Sequence, residues 1–413
     1  MTLANRRVLY ISYNGMLDPL GQSQVIPYLK ELSRAGVRFT LLSFEGPKAF
    51  TSAGRERCEQ LRIELAGFGI DWHFLRYHKR PSLPATSYDV LAGIRYGGRL
   101  VQSKQIEIVH ARSHIPATIA LRLKRRFGLK MIFDVRGLMA EEYVDANHWK
   151  KGNAPYRLTK AMESRALQAS DGIVTLTEKI WPEIKDWPGL RNRDVIHEVV
   201  PCCTDLDRFR FLQSERDRVR AELGLQDRFV LVYSGSIGGW YLTDKAADFF
   251  VALLKRKANG HFLWLTGGDK ALIEKLMSDR GVKLNQFTIR NVQTAEVAGY
   301  LSAADVGIAF YKPTFSRLAT SPVKVSEYLA CGLPVIVNAG VGDSDDFIAA
   351  HNVGAVVKDF NESEYERTLA TIEALLAGGI RERSRTVAKT YFDVKSVGLE
   401  RYSRIYEKVL NLI

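Results

Sequence analysis

Apolar residues along the chain follow two alternating patterns, short continuous runs and longer stretches with helical spacing. Arg7–Ser12 is a continuous run typical of a buried strand, and residues 22–35 place their apolar side chains on one face of a helix. Residues 37–44 form the next run, and the loop after the first strand contains glycine and proline. This order predicts a βαβ unit whose loop lies where open α/β sheets bind ligands.

The same alternation continues through both halves of the chain and predicts an α/β protein with parallel, doubly wound sheets. The further strands predicted before residue 205 are 106–110, Lys130–Asp134 and 172–176, with helices at 116–127 and 156–169. After an exit loop at 199–205, the predicted strands are Phe229–Ser234, 261–266, 287–292 and 306–310, with helices at 245–257, 271–280 and 295–303. The predicted domains are 1–205 and 206–390, and a helix ending near Leu412 is predicted within 391–413. Residues 45–105 are too irregular for their elements to be placed.

The stretch 320–337, TSPVKVSEYLACGLPVIV, is predicted to form a helix that leads into a buried strand at 333–337. Ser321 is a suitable N-cap, Pro322 suits the first helical position, and Gly332 suits a left-handed C-cap. The chain therefore places the start of a helix, with its unpaired N–H groups, in the second half of the molecule.

Two side chains of this helix could bind a nucleotide. Lys324 lies in the first turn, where a helix start favours a phosphate, and Glu327 follows three residues later on the same face. Lys324 would lie near the phosphates and Glu327 on the ribose hydroxyls. The alternative is an exposed Lys–Glu pair on an amphipathic helix, which the local pattern alone favours.

The composition is that of a globular protein, with 46% apolar and 25% charged residues in a chain of 413. No apolar run approaches the roughly 20 residues of a membrane span, and the first residues indicate a strand and not a signal peptide. The four cysteines give neither a disulfide framework nor a metal-binding spacing. We therefore expect a cytoplasmic protein.

The net charge of +13 is unevenly distributed. Residues 1–205 hold 31 Lys and Arg against 21 Asp and Glu, whereas residues 206–413 hold 28 against 25. The densest basic runs, 76–80 and 122–126, could attract anionic lipid headgroups or nucleic acid, or could form a solvated surface. No nucleic-acid-binding motif is found, so we expect no nucleic-acid partner and leave contact with the inner face of the membrane open.

Signals for other chemistries are weak. The fingerprint GxGxxG is absent from the first loop, which disfavours a dehydrogenase. The acidic run at 343–346 imitates a metal-binding DxD motif, but its position just before a predicted helix favours N-capping. His110 and His114 do not share a helical face, because His110 ends a predicted strand. We therefore expect no metal and no cofactor.

Several motifs in the observed order match a known family. They are Asp18-Pro19-Leu20-Gly21-Gln22 after the first strand, Pro201-Cys202-Cys203-Thr204-Asp205 with Phe209 at the domain linker, the Gly268-Asp269 turn, the segment 297–308, and Ser321-Pro322-x-Lys324-x-x-Glu327-Tyr328-x-Ala330-x-Gly332-x-Pro334-Val335. With these motifs, nearly the whole chain resembles the retaining, nucleotide-sugar-dependent glycosyltransferases of the GT-B fold, in the large family four that builds bacterial cell-surface polysaccharides.

The resemblance implies two Rossmann-like domains that face a cleft, with the C-terminal helix packing back on the N-terminal domain. It implies that the second domain binds the donor and that the first domain holds the acceptor. The donor-binding residues implied are Gly21, Gln22, Gly235, Ser236, Gly267, Gly268, Arg290, Val292, Ser321, Lys324 and Glu327. The acceptor-side residues implied are Asp134, Arg136 and Glu141, and the catalytic residues are Arg136 and Glu327.

Two departures from the family pattern concern the donor site. Ala319 stands where many members have a first glutamate eight residues before Glu327, so Ser316, Arg317 or Thr320 would have to replace part of its role. The Arg and Lys that often follow the first strand of the second domain are replaced by Ser236 and a Gly-Gly-Trp-Tyr run. Trp240 and Tyr241 of that run could stack on a substrate or fill space between helix and sheet.

The expected function is transfer of a sugar from a UDP- or GDP-sugar to a lipid-linked or growing oligosaccharide, with retention of configuration and without a divalent metal. One alternative is a sugar-nucleotide epimerase of the same fold, and another is a nucleotide-sugar-binding protein that has lost catalysis, for which Ala319 is the only hint. The sequence leaves open the donor base, the sugar, the linkage and the acceptor.

Overall fold

Fully buried strands of apolar residues run through the centre of each half of the protein. A computed structural model describes residues 3–80 and 82–411, so that Met1, Thr2, Pro81, Leu412 and Ile413 lie outside the described residues. The chain forms an N-terminal unit, which runs to Pro201 and resumes at Val394, and a C-terminal unit, Cys202–Asp393. The division thus falls four residues before the predicted one at Asp205.

The N-terminal unit is built on a parallel sheet in the order β3-β2-β1-β4-β5-β6-β7, counting the strands in its described residues. These strands are β1 (Arg7–Ser12), β2 (Arg38–Glu45), β3 (Asp71–Arg76), β4 (Ile108–Arg112), β5 (Lys130–Asp134), β6 (Gly172–Thr175) and β7 (Ile196–Val199). The helices are α1 (Pro19–Gln24), α2 (Ile26–Arg34), α3 (Ser52–Gly67), α4 (Ser82–Lys104), α5 (His114–Phe127), α6 (Met139–Asp145), α7 (Ala154–Ala169) and α8 (Ile180–Ile184). The parallel, doubly wound sheet predicted for this half is confirmed.

The helix predicted at 22–35 is in fact two helices, α1 and α2, that meet at Val25. Val25 has φ −126° and ψ −64°, outside the helical region. Pro27 explains the break, because its ring nitrogen has no hydrogen to donate to the carbonyl four residues earlier. The strand predicted at 106–110 is also shifted, since β4 spans Ile108–Arg112 and places His110 in its middle.

The C-terminal unit has a second parallel sheet, in the order β10-β9-β8-β11-β12-β13 among the residues that the structure describes. These strands are β8 (Phe229–Ser234), β9 (Gly260–Leu265), β10 (Phe287–Arg290), β11 (Val306–Ala309), β12 (Val335–Asn338) and β13 (Gly354–Val357). The helices are α9 (Gln213–Leu223), α10 (Thr243–Arg256), α11 (Lys270–Ser278), α12 (Val297–Ser302), α13 (Val323–Ala330), α14 (Ser344–His351), α15 (Glu362–Ala377) and α16 (Ile380–Tyr391). Each unit therefore has the Rossmann-like architecture that the sequence predicts.

The last helix, α17 (Leu399–Val409), belongs to the N-terminal unit and follows a π-helical turn at Val394–Gly398. It packs beside β7 and α2, and its buried residues include Tyr402, Ile405 and Tyr406. The predicted packing of the C-terminal helix on the N-terminal domain is confirmed. Among the described residues, no helix combines the length and the apolar composition needed to cross a bilayer.

Candidate functional site

The loops that leave β8 and β9 and the start of α13 form the candidate donor site of the C-terminal unit. Gly235–Gly239 follows β8, and Gly267–Gly268 follows β9. Carboxyl ends of neighbouring parallel strands meet at one edge of a sheet, which is where open α/β sheets bind ligands. A Cβ atom on Gly268 would lie 2.6 Å from Cγ1 of Ile237, so the two loops touch.

Lys324 lies inside a cage of three tyrosine rings. Its Nζ atom is 3.9 Å from the ring centroid of Tyr233, 4.6 Å from that of Tyr241 and 5.4 Å from that of Tyr311. The side chain is 5% exposed, and among the described residues Nζ has no hydrogen-bond partner. Burial lowers the pKa of Lys324 to about 7, although Glu327 acts in the opposite direction. The amine is therefore held by ring faces alone and keeps its hydrogen-bonding capacity for a ligand.

Gly235 lies directly against this amine. A Cβ atom at position 235 would be 3.3 Å from Lys324 Nζ, and the φ angle of Gly235 is +121°, a conformation that favours glycine. The carbonyl oxygen of Ser236 accepts a hydrogen bond from the Tyr233 hydroxyl. The glycine loop thus forms one wall of the cage around Lys324.

Glu327 lies one turn after Lys324 and keeps part of its surface exposed. Burial raises the pKa of this carboxyl to about 7, while the positive charges of Arg208 and Lys324 act against the rise. Arg208, from the segment after the domain boundary, therefore acts electrostatically on Glu327. A carboxylate set between two cations is suited to accept hydrogen bonds from hydroxyl groups.

The start of α13 differs from the prediction. Pro322, and not Ser321, occupies the N-cap position, and it cannot cap because it has no side-chain oxygen. Ser321 instead accepts a hydrogen bond of 3.0 Å from the backbone N–H of Cys202. Gly332 has φ +75°, the left-handed conformation predicted at the end of the helix. The helix thus begins without a side-chain cap, which leaves its first N–H groups for a ligand.

Of the residues proposed to compensate for Ala319, Ser316 and Arg317 lie in a largely buried 3-10 turn, Phe315–Ala319, and Thr320 directly follows it. Arg317 donates a hydrogen bond to Ser316 Oγ, and its guanidinium lies 5.1 Å from the ring of Trp240. The charge of Arg317 also acts on Tyr241, a ring of the lysine cage. Of the proposed replacements, Arg317 is therefore connected to the cage, and Trp240 packs beside it.

The remaining donor-side predictions lie at the ends of β9 and β10. Gly267 is in contact with the side chain of Asn291, since a Cβ atom on Gly267 would be 3.2 Å from Oδ1. Arg290 is exposed at the end of β10, where its carbonyl accepts a hydrogen bond from Thr266 N. Val292 packs against the core of the C-terminal unit. No measured contact joins Arg290 or Val292 to Lys324 among the described residues.

In the N-terminal unit, Asp134 is the centre of a buried polar network. Its Oδ2 atom accepts a hydrogen bond of 2.8 Å from the hydroxyl of Tyr402 and lies 3.7 Å from Nη1 of Arg136. Burial alone would raise the pKa of Asp134, but Arg136 and His110 outweigh it and hold the pKa below the usual range. Asp134 and Arg136 therefore form a buried ion pair.

Arg136 also connects this network to the first loop. Its Nη2 atom donates a hydrogen bond of 3.3 Å to Gln24 Oε1, at the end of α1. His110 Nδ1 is hydrogen-bonded to Tyr406 at 2.6 Å, and burial lowers the pKa of His110, which favours the neutral imidazole. The side chain of Arg136 is thus held from two sides.

Gly21 and Gln22 hold the first loop in shape. A Cβ atom on Gly21 would lie 2.3 Å from the carbonyl oxygen of Gly15, so only glycine allows this close approach. Gln22 donates through Nε2 to the Met16 carbonyl at 2.7 Å. The loop is also fixed by Glu45, which accepts a 2.7 Å hydrogen bond from Met16 N.

Glu141 lies in a separate polar cluster. Its Oε1 atom is 3.1 Å from Nζ of Lys160 and accepts a 3.2 Å hydrogen bond from Tyr156. Lys160 also contacts Glu163, which is hydrogen-bonded to His114 at 2.9 Å. The structure therefore places Glu141, predicted on the acceptor side, in contact with a lysine and a tyrosine. Among the described residues, no contact joins Glu141 to Asp134.

The acidic run at 343–346 lies at the start of α14, as predicted. Asp343 occupies the N-cap position, although its side chain makes no capping hydrogen bond, and Asp345 accepts a bond of 2.9 Å from Gly340 N. Within the part of the chain that the structure describes, no three His, Cys, Asp or Glu side chains are grouped as metal ligands.

Sequence reasoning missed Tyr233 and Tyr311 of the cage, Arg208 beside Glu327, and Tyr402 and Tyr406 on α17. The cage rings come from positions far apart in sequence, so no local spacing could group them. Arg208 directly precedes Phe209 of the linker motif, and its charge there was a usable signal.

Comparisons with known proteins agree with this architecture. Residues 24–202 match the family described as glycosyl transferase 4-like domain, and residues 314–388 match the C-terminal domain of glucosyltransferase 3-like proteins. Comparison with the sequences of curated proteins gives no match.

Solved structures extend the similarity over the whole chain. Sucrose-phosphate synthase from Thermosynechococcus elongatus superposes with a TM-score of 0.72 at 15% identity, over 99% of this chain and 100% of that one. Anabaena HepE in complex with UDP and glucose has a TM-score of 0.71 at 12% identity, over 99% and 100% of the two chains. WaaG, a glycosyltransferase involved in lipopolysaccharide biosynthesis, has a TM-score of 0.68 at 17% identity, over 96% and 99%. Residues 24–202 are therefore similar to a glycosyl transferase 4-like domain, and the chain has the GT-B fold of the glycosyltransferases that are its structural neighbours.

Proposed function

We propose that this protein is a retaining glycosyltransferase that binds a nucleoside diphosphate sugar through its C-terminal unit. The observation that carries the proposal is the buried amine of Lys324, held by tyrosine rings without a hydrogen-bond partner among the described residues. A buried cation in this state costs free energy unless an anion completes its environment. A diphosphate supplies that anion, and charges prearranged in this way usually contribute more to catalysis than any other effect.

The neighbouring groups fit the rest of a nucleotide sugar. Backbone N–H groups of the loop 235–239 and of the first turn of α13 would share the phosphate charge with Lys324. Glu327, partly exposed and one turn away, would accept hydrogen bonds from ribose hydroxyls. Arg317, beside Trp240, is the basic group that would lie near the sugar or its phosphate.

We propose UDP as the first nucleotide to test, because HepE was solved with UDP and glucose. GDP-sugars are the second choice. In a retaining transfer the departing phosphate oxygen can take the proton of the acceptor hydroxyl, so the site needs cations for the leaving group more than it needs a general base. We propose that no divalent metal takes part, with Lys324 supplying the charge.

The N-terminal unit would bind the acceptor. Arg136, fixed by Asp134 and Gln24, is the group that would orient an acceptor. We propose a lipid-linked or growing oligosaccharide as the acceptor, since WaaG is involved in lipopolysaccharide biosynthesis. The site of action would then be the inner face of the membrane.

A thermal-shift series with UDP, GDP and their sugars tests the donor site. A ligand at 100 times its dissociation constant should stabilise the protein by about 2.7 kcal/mol. Lys324→Gln should abolish the shift, and Lys275→Gln, a change at an exposed lysine of α11, should preserve it. Absence of a shift with every nucleotide would contradict the proposal.

A turnover experiment separates transfer from other reactions of a nucleotide sugar. Release of UDP only with an acceptor supports transfer, whereas a changed sugar still attached to its nucleotide without an acceptor indicates an epimerase. Binding without turnover indicates an inactive binding protein. Loss of transfer in chelator, restored by magnesium or manganese, would contradict metal independence.

A further inference from the structure

An exposed apolar stripe lies on α4 of the N-terminal unit. Leu83, Tyr88 and Leu91 are 58%, 61% and 67% exposed, although each is large enough to belong in a core. Pro84, Tyr88, Leu91 and Arg95 are spaced by four, three and four residues, so they share one face of the helix. Grouped exposure of this kind marks an interaction surface, because single exposed apolar residues would be scattered.

Cations adjoin this stripe. Lys79 and Arg80 are exposed immediately before α4, and Arg95 and Arg99 are exposed further along the helix. We call the residues Lys79, Arg80, Pro84, Tyr88, Leu91 and Arg95 the α4 patch. An apolar strip with an interfacial tyrosine and bordering cations is the chemistry that binds an anionic bilayer surface. A protein partner would need an apolar groove but no ring of cations, and nucleic acid would need cations but no aliphatic strip.

The basic residues Lys79 and Arg80 follow His78, which is hydrogen-bonded to Asp89, a buried residue of α4. Asp89 accepts a hydrogen bond of 3.0 Å from His78 N and contacts His78 Nδ1 at 2.6 Å. The ring of His78 packs edge-to-face on Tyr88, with centroids 5.2 Å apart. Lys79 and Arg80 therefore directly follow a residue that is hydrogen-bonded to α4.

The same Asp89 connects the patch to the first loop. Its Oδ2 atom accepts a 2.8 Å hydrogen bond from the hydroxyl of Tyr13, the first residue after β1. The loop that begins there reaches α1, whose Gln24 contacts Arg136. One buried carboxylate thus joins the surface of α4 to the loop beside the candidate acceptor residues.

We propose that the α4 patch docks on a membrane surface carrying anionic phospholipid headgroups, with Tyr88 and Leu91 inserted at the level of the headgroups. This inference rests on the proposed function for its purpose, since docking would bring a lipid-linked acceptor to the N-terminal unit. Its test needs neither donor nor acceptor. A nucleotide-induced thermal shift without membrane binding would overturn the docking and leave the proposed function standing.

Flotation with vesicles of phosphatidylcholine and phosphatidylglycerol tests the patch, with pure phosphatidylcholine as the neutral comparison. The protein should bind the anionic vesicles and be released by high salt. Tyr88→Ser with Leu91→Ser should lower the partition coefficient by about tenfold or more, because both side chains leave the interface. Leu284→Ser is the matched control, since Leu284 is 79% exposed in the C-terminal unit.

Charge is tested with a second matched pair. Lys79→Glu with Arg80→Glu should weaken binding by more than about tenfold, at about 1 kcal/mol for each cation lost. Arg125→Glu with Arg126→Glu changes the same charge in the other basic run and should have the smaller effect. Equal losses from the two pairs, or no loss from the Tyr88 and Leu91 pair, would overturn the proposal in favour of non-specific attraction.

A fluorescent probe locates the contact independently of binding strength. The native cysteines Cys58, Cys202, Cys203 and Cys331 are all buried, so a label can be directed to an introduced cysteine. A polarity-sensitive dye on Leu91→Cys should shift to the blue with anionic vesicles, and the same dye on Leu284→Cys should not. Equal shifts at both positions, or a shift only at Leu284→Cys, would overturn the assignment to α4. Binding of RNA that competes with vesicles and survives Tyr88→Ser with Leu91→Ser would also overturn it.

Discussion

Tyr402, on the last helix of the chain, donates a 2.8 Å hydrogen bond to Oδ2 of Asp134, at the end of the fifth strand. Both residues are buried, and they are 268 positions apart in sequence. The helix that ends the chain therefore completes the environment of a carboxylate in the N-terminal sheet. Through Asp134 it also acts on Arg136, the candidate acceptor-side residue.

Tyr402→Phe should lower the free energy of unfolding by about 1.5–3 kcal/mol, the usual value for a hydrogen bond to a charged group. Because the folded state holds the pKa of Asp134 below its usual range, the stabilisation is complete above that range and is lost as pH falls through the folded-state pKa. Denaturant titrations should therefore show the largest difference from wild type near neutral pH. Tyr391→Phe, at an exposed tyrosine, is the control. Equal stability of Tyr402→Phe and wild type at neutral pH would show that the bond contributes nothing.

Gly235→Ala should weaken nucleotide binding and destabilise the C-terminal unit. The added Cβ would lie 3.3 Å from Lys324 Nζ in a backbone conformation that alanine rarely adopts. We expect a loss of about 1 kcal/mol or more in stability and a clear loss of affinity for UDP in calorimetry. Gly239→Ala separates strain from contact, because Gly239 has φ +58° and nothing lies within 4 Å of its added Cβ. Similar affinities for the two variants would remove the contact with Lys324 from the explanation.

Some elements of the fold could be predicted from the sequence and others could not, for physical reasons. Arg7–Ser12 and Phe229–Ser234 were predicted with their observed bounds because buried parallel strands are continuous apolar runs. Helix α4 was missed because its glycines disturb the helical pattern. Gly93 and Gly97 allow α4 to pack closely on its neighbours. An added Cβ atom would lie 2.6 Å from Ile119 at position 93 and 3.1 Å from Leu123 at position 97.

The candidate site shows the same division. Lys324 and Glu327 were found because a helix fixes their spacing. The structure places Lys324 beside the glycine loop that the sequence had singled out, and the charges of Lys324 and Arg208 act on Glu327. Their surroundings could not be predicted, because Tyr233 and Tyr311 meet only through the pairing of β8 with β11. The alternative of an exposed Lys–Glu pair, which the local pattern alone favoured, is wrong for Lys324, which is 5% exposed. The assignment of both residues to the donor stays a prediction.

Donor affinity should depend on pH through Lys324. With a pKa of about 7 in the free protein, this amine loses its proton as pH rises above neutrality, whereas a bound diphosphate favours the protonated form. Binding of UDP above pH 7 should therefore take up a proton, and affinity should fall by up to about tenfold for each pH unit. Calorimetry in two buffers with different ionisation enthalpies measures the uptake. In Lys324→Gln the proton uptake above neutrality should disappear, and its persistence there would assign the titration to another group.

The proposed contact between Glu327 and the ribose can be tested by removing one hydroxyl group of the ligand. If its carboxylate accepts a hydrogen bond from the ribose, 2′-deoxy-UDP or 3′-deoxy-UDP should bind the wild type about tenfold more weakly than UDP, in line with about 1.5–3 kcal/mol for a charged hydrogen bond. Glu327→Gln should weaken binding of UDP but lose little more with that deoxy compound, because the partner hydroxyl is already poorly bound. The coupling energy of this double-mutant cycle isolates the pair, and titration above pH 8 keeps Glu327 ionised, since its pKa is about 7. Additive losses with both deoxy compounds would place the ribose elsewhere and leave Glu327 as a partner of Arg208 and Lys324.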